Sequence, residues 1–199
     1  MVQLASASPR RRLLLEQAGI PVRVVRSGID DGLLTPGAVS PIEWTMALAF
    51  LKARAGQRAS GDEGVFMGAD TMVVLGDRLV GQPKDGPDAR RMIADLSGGD
   101  HEVVTGVALV WGEGGSERRL MFADVATVRV GVIPDAAIDA YVASGEWRGK
   151  AGAYNLIERV EAGWPIEWEG DPGTVMGLPM VRLRPMLERI LEAGAAARP

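Results

Sequence analysis

The chain has 199 residues, 47% of them apolar, with a formal net charge of -4 and a sequence pI of about 5.2. That length and apolar content suit one domain or two small lobes with a real core, and the acidic balance argues against a general nucleic-acid or membrane surface. With no cysteine and a single histidine, His101, the chain excludes disulfides, thiol nucleophiles and Cys- or His-rich metal sites, so any metal is held mainly by oxygen, which favours Mg2+ or Mn2+.

Taken in order, Val2 to Ala5 reads as a short strand. Ser8 is a good helix N-cap and Pro9 suits the first helical position. Gly19 is placed to end that helix, Pro21 blocks its continuation, and Val22 to Val25 reads as a second strand. Ser40-Pro41-Ile42-Glu43 is a capping box, and the helix it opens is expected to run to about Ala55, closed by Gly56. Val65 to Leu75 is strand-like, and Gly76-Asp77 turns the chain into Leu79-Val80. Pro87 to Leu96 is expected to be helical, closed by Gly98-Gly99. Val103 to Trp111 and Leu120 to Val130 read as long strands of a hairpin. Asp135 to Ala143 reads as a helix closed by Gly145, whereas Tyr154 to Trp168 carries no clear local signal. A last helix is expected from near Pro179, kinked or split by Pro185, with a frayed tail over 193–199. Alternating strands and helices with one hairpin predict an α/β protein with a mixed sheet, in a single domain over 1–199.

The opening stretch "LASASPRRRLLLEQAGI", Leu4 to Ile20, admits two readings. An export signal fails on the flanks, because Glu16 and Gln17 break the apolar run far short of the roughly 7–15 residues required. No stretch elsewhere reaches the roughly 18 apolar residues of a membrane helix, so a soluble cytoplasmic protein is expected. A strand, a small-residue turn and a helix start also make a phosphate site, because the first helical amides are unpaired and the dipole favours an anion. Arg10, Arg11 and Arg12 in the first turn oppose that dipole by roughly 0.3–1 kcal/mol each, a cost that an anionic ligand would reverse. The alternative is a solvated basic face. Consecutive residues diverge by about 100° on a helix, so the three cannot all face one ligand, and Arg12 is the expected outsider.

Asp70 interrupts an otherwise apolar strand and has small neighbours, Gly68, Ala69 and Thr71. A carboxylate there is costly unless paired or metal-bound, although an aspartate in an ordinary turn is the bland alternative. "SGIDDGL", Ser27 to Leu33, could bind a metal or be a simple turn. Lys52 near the end of its helix is, on local grounds, an ordinary dipole-complementing lysine.

Together "LASASPRRRLLL", "KARA", "GADTMVV", "LSGGDHEVVTGVAL", "YVASGEWRGKAGAY" and "VMGLPMVRL" resemble, in order and over nearly the whole chain, the Maf family of nucleoside triphosphate pyrophosphatases. The resemblance implies an α/β fold with a mixed sheet flanked by helices and two lobes about a central cleft, as in inosine triphosphatases. It also implies cleavage of nucleoside triphosphates, among them pyrimidine or modified nucleotides, to monophosphate and pyrophosphate with Mg2+ or Mn2+, and a homodimer is expected, with neither nucleic acid nor membrane as a partner. Asp70 matches the catalytic aspartate, with Lys52 beside it in that role, and Asp31 with Asp70 matches the metal ligands. Ser8, Arg10, Arg11 and Thr71 match substrate-binding residues.

The departures are informative. The usual lysine of "KPxD" is Gln82 here, and Lys84 is expected to supply the missing charge if residues 82 to 84 are extended, since alternate side chains then share a face. Ile157 stands where the pyrimidine-preferring branch has glutamine, which leaves Asn155 or Glu158 to read the base. Two competing readings are a nucleotide-binding regulator of septum formation without turnover, motivated by Gln82, and an inosine-triphosphatase-type enzyme.

Overall fold

The structure, a computed structural model, describes residues 1–30, 34, 35, 37–112 and 117–196. Among these, seven strands form one mixed sheet with helices on both faces. The parallel half is β2 (Val22–Val24), β1 (Val2–Leu4) and β3 (Val65–Leu75). The antiparallel half continues from β3 through β5 (Asp100–Trp111) and β6 (Arg118–Val130) to β7 (Ile166–Glu169), while β4 (Arg78–Val80) pairs with the end of β3. The expected α/β class with a mixed sheet is therefore what the chain forms.

One face of the sheet carries a single long helix, α2 (Pro41–Ser60). Its capping box is complete: the Ser40 hydroxyl accepts from the Glu43 amide and the Glu43 carboxylate accepts from the Ser40 amide. Ser40→Ala is expected to cost about 1 kcal/mol, read as a lower midpoint in urea unfolding with an unchanged slope. The expected stop at Gly56 does not occur. The helix runs to Ser60 and closes at Gly61, which is left-handed at φ 65°. Gly56 is glycine for a different reason: a Cβ there would sit 2.7 Å from the Ala5 Cβ, so it lets the helix approach β1.

Along the rest of α2 the approach is just as close. A Cβ on Gly68 of β3 would lie 2.0 Å from the Ala49 carbonyl oxygen, and one on Gly106 of β5 would lie 2.4 Å from the Thr45 carbonyl carbon. With Ala49, Ala53 and Ala108 buried between them, helix backbone and sheet meet almost directly.

The opposite face is covered by two apolar clusters. In one, α1 (Pro9–Gln17) and α7 (Met180–Ala196) bury Leu15, Leu183 and Leu187 against Met67, Ala69 and Val107. In the other, α3 (Gly86–Leu96) and α4 (Asp135–Ser144) bury Ile93, Leu96 and Ile138 against Val73, Val103 and Val128. The same cluster takes in Leu156 of α5 (Leu156–Glu161), and the five-residue α6 (Pro172–Met176) leads into α7. Pro185 neither splits nor ends α7. Leu183 and Leu187, both fully buried, anchor one face on either side of it, and Val181, whose carbonyl loses its helical partner, is 74% exposed, so water can replace that bond.

Candidate active site

The two clusters are separated along the outer edge of β3. Strand β1 pairs with that edge only as far as Met67, and β4 pairs with it only from Val73. Gly68 to Met72 therefore form a notch between two strands, and Asp70 is its midpoint. A cleft of about 850 Å³ opens there, lined by residues of β1–α1, α2, β3 and the segments around 81, 149–155 and 175–177. Side chains from both faces of β3 reach it, because on that edge the strand has no neighbour between Met67 and Val73, while β5 pairs with the other edge.

From the α2 side come Trp44, Leu48 and Lys52, spaced by four and so stacked on one helical stripe. Only Lys52 was legible as a site residue. Trp44 and Leu48 were not, although that spacing from Lys52 is the signal that finds them. The Lys52 ammonium donates to Asp70 Oδ1 at 2.7 Å, and both residues are buried. Gly68 and Gly106 make this contact possible by letting the backbone of α2 sink onto the sheet. A buried ion pair of this kind is weak support for stability, since desolvation offsets much of the attraction. In a cleft that holds further cations it reads as chemistry.

From the opposite face comes Arg11, buried and clamped. Its guanidinium donates to the Ala69 carbonyl at 2.8 Å, the Ser6 hydroxyl at 3.0 Å, the Thr71 hydroxyl at 3.0 Å and the Gly177 carbonyl at 3.0 Å. Ala69 and Thr71 flank Asp70, so Arg11 braces the strand on either side of the carboxylate. Gly177, at φ 105°, is glycine because a Cβ would lie 3.0 Å from Arg11 Nε. The Thr71 hydroxyl also meets that of Thr105 at 3.0 Å, and Thr105 spends its own proton on the Thr174 carbonyl at 2.7 Å. Thr71 is therefore the donor in that pair, and what it can offer a ligand is a lone pair.

Arg10 turns the other way, across the cleft, to donate to the Gly149 carbonyl at 3.2 Å. Burial pulls its pKa below the usual guanidinium value, with Glu158 and then Tyr141 opposing the shift. Arg12 is exposed and pairs with Glu16 one turn on, the outward direction expected for it. Ser8 occupies the N-cap position of α1, but its hydroxyl makes no capping bond, and the residue lines the cleft.

On the far wall Tyr154 is buried, its hydroxyl bonded to His101 Nε2 at 2.7 Å. Desolvation pushes His101 down to about 4, only partly offset by Asp100, so the imidazole is neutral at pH 7 and the tyrosine stays protonated, its pKa raised by burial.

Gln82 lines the cleft; Lys84 does not. The chain is not extended through residue 84. It bends there to start α3, and the Lys84 amide donates to Asp88 Oδ2 at 3.0 Å while the side chain is exposed. Lys84→Gln is accordingly expected to leave kcat and KM within about twofold of wild type in steady-state assays, the usual scale for a surface substitution. Ile157 is also outside the cleft, half-buried against the apolar cluster beside α5. Asp31 lies outside the described residues, but its neighbour Asp30 is exposed and lines the cleft. Asp30 and Asp70 thus bring two carboxylates to one cavity. Among the described residues no set of three or more His, Asp or Glu side chains forms a ready-made metal cage.

A Maf-like protein model matches residues 1–190. The chain belongs to the Maf family. It is 38% identical over 190 residues to a protein of Pelotomaculum thermopropionicum named dTTP/UTP pyrophosphatase, covering 94% of this chain and 95% of that one. Proteins of the same name from Bacillus cytotoxicus and Geotalea uraniireducens are 40% and 41% identical, covering 90% or more of each chain. In this Maf protein the cleft at the β3 notch gathers Ser8 and Arg10 from the start of α1, Lys52 from α2, and Asp70 and Thr71 from β3, three separate parts of the chain.

Proposed function

We propose that this Maf protein hydrolyses nucleoside triphosphates between the α and β phosphates, releasing nucleoside monophosphate and pyrophosphate, with dTTP and UTP, the nucleotides named for its relatives, as its substrates. The observation that carries the reading is the Lys52–Asp70 pair at the floor of the cleft. Asp70 is the base: its carboxylate accepts the proton of the attacking water, which then adds to the α-phosphorus as the pyrophosphate leaves. Lys52 holds Asp70 in place and offsets negative charge that builds on the phosphate oxygens. Arg10 and Ser8, facing the same cavity, and Gln82 beside them bind the substrate, and Arg11 keeps Ala69, Asp70 and Thr71 in register. Arg11 thereby serves the substrate through the strand it braces.

The donor set fits a hard divalent cation. Asp70 and Asp30 offer carboxylate oxygens on one cavity, Asp31 adjoins Asp30 in sequence, and these residues would hold the ion together with triphosphate oxygens. Mg2+ or Mn2+, when bound, supplies charge neutralisation at the phosphate oxygens. The reading includes a cytoplasmic location, where nucleotide pools lie, and the expected homodimer. No helix among the described residues is long and apolar enough to cross a membrane.

The test is product analysis with a panel of nucleotides in Mg2+ or Mn2+. Pyrophosphate and monophosphate in equal amounts are expected, most rapidly from dTTP or UTP. Orthophosphate as the product, or no release from any nucleotide, would sink the reading; tight binding without turnover would instead favour a regulatory nucleotide-binding role, which the Lys52–Asp70 pair argues against.

A further inference from the structure

Asn155 is buried, lines the cleft and stands at the N-cap of α5. Its two amide arms have different fates. The Oδ1 accepts the backbone N–H of Glu158 at 3.1 Å, and because a backbone N–H can be met only by an acceptor, that contact fixes which arm is oxygen. The NH2 arm makes no hydrogen bond among the described residues and keeps contact with the solvent of the cleft. Apart from Gln82, the neighbouring polar groups of this wall are already committed. The Tyr154 hydroxyl is turned to His101, the Gly149 carbonyl receives Arg10, and the Gly81 carbonyl receives the Gly152 amide at 2.9 Å. The remaining lining here, Leu79, Val73 and Ala151, is apolar.

Resting on the pyrophosphatase reading above, the geometry points to Asn155 as a specificity residue: its NH2 donates to a carbonyl of the nucleobase and so selects uracil or thymine over cytosine. A donor held in a largely apolar wall discriminates once a base covers it, because a base that meets it with an amino group leaves two donors facing each other without water. UTP and CTP differ in this respect at C4, which carries a carbonyl in one and an amino group in the other. The cap is what gives the residue its sign. A free carboxamide could rotate to offer oxygen or nitrogen, but with Oδ1 held by α5 only the donor is presented.

The same cap allows a clean test. Aspartate and serine are both good N-caps, so Asn155→Asp and Asn155→Ser keep the bond to Glu158 while removing the NH2. The quantity to measure is the ratio of kcat/KM for UTP to that for CTP, which cancels any uniform effect of the added charge on triphosphate binding. Asn155→Asp is expected to lower that ratio by about tenfold or more, the scale of one lost hydrogen bond. Asn155→Ser should lower it in the same direction without a change of charge, and it carries the test alone if the aspartate variant does not fold. A ratio within about twofold of wild type in the folded variants, or an equal loss for both nucleotides, overturns the assignment while leaving the pyrophosphatase reading intact. Should wild type release pyrophosphate from neither nucleotide, that reading fails, and the ratio of Kd values for UTP and CTP from calorimetry still decides whether Asn155 selects the base.

Discussion

Asp70→Asn is expected to abolish all but a residue of turnover, a fall in kcat of about 10²-fold or more, while the protein remains folded. The substitution is close to isosteric. It removes the negative charge that accepts a proton or holds a cation, and keeps the volume that β3 packs around in the notch between β1 and β4. Lys52 would then face a neutral oxygen or an amide in a buried position. The measurement is kcat and KM of the purified variant with its best nucleotide, alongside a thermal melt to establish that the fold is retained. Turnover within about threefold of wild type would remove Asp70 from the chemistry and with it the central claim about the cleft.

Gly106→Ala is expected to lower stability by roughly 3 kcal/mol and to remove activity along with it, although Gly106 does not line the cleft. The added methyl would meet the Thr45 carbonyl carbon at 2.4 Å and the Met46 amide nitrogen at 2.5 Å, both backbone atoms of a long helix that cannot swing aside like a side chain. The helix must lift, and Lys52, two turns further along it, lifts away from Asp70. Gly68→Ala should behave alike, with its methyl 2.0 Å from the Ala49 carbonyl oxygen. Gly99→Ala is the control, because nothing lies within 4 Å of a Cβ there. Urea unfolding of the three variants reads the stability, and kcat/KM reads the lift. A Gly106→Ala protein as stable and active as the Gly99→Ala control would mean that the close approach of helix to sheet is not what sets the Lys52–Asp70 contact.

Local signals carried much of the fold because they act over a few residues and need no partner. The strand Val65–Leu75 follows from a largely apolar run ended by Gly76, and the start of α2 follows from a complete capping box. The charge of Asp70 in that strand marked a site before any fold was known, since an aspartate among apolar neighbours needs a partner. Lys52 became a site residue in the sequence only through the family resemblance, as a lysine near a helix C-terminus is ordinary. The segment from Tyr154 to Trp168 is hard to read, for its helix has only six residues behind the Asn155 cap, and its strand has four and is held by pairing with Thr127 to Val130 of β6.

What the amino-acid sequence determined by itself is the fold class, most element positions and the family. Tertiary structure alone decided how those groups are aimed. Gly56 looked like a helix stop and is a packing glycine, because the chain reads the same whether a glycine ends a helix or lets one touch Ala5. Pro185 looked like a break and sits inside α7, because buried leucines on both sides outweigh one lost hydrogen bond. Three consecutive arginines are alike in sequence; in the fold one braces the strand around Asp70, one crosses the cleft to Gly149 and one faces solvent. Lys84, equal in charge to the missing lysine, stands outside the lining of the cleft, where the chain bends into α3. Charge and size are properties of a residue and can be read along a chain, whereas the direction of a side chain is set by the backbone that carries it and by distant segments that pack against it.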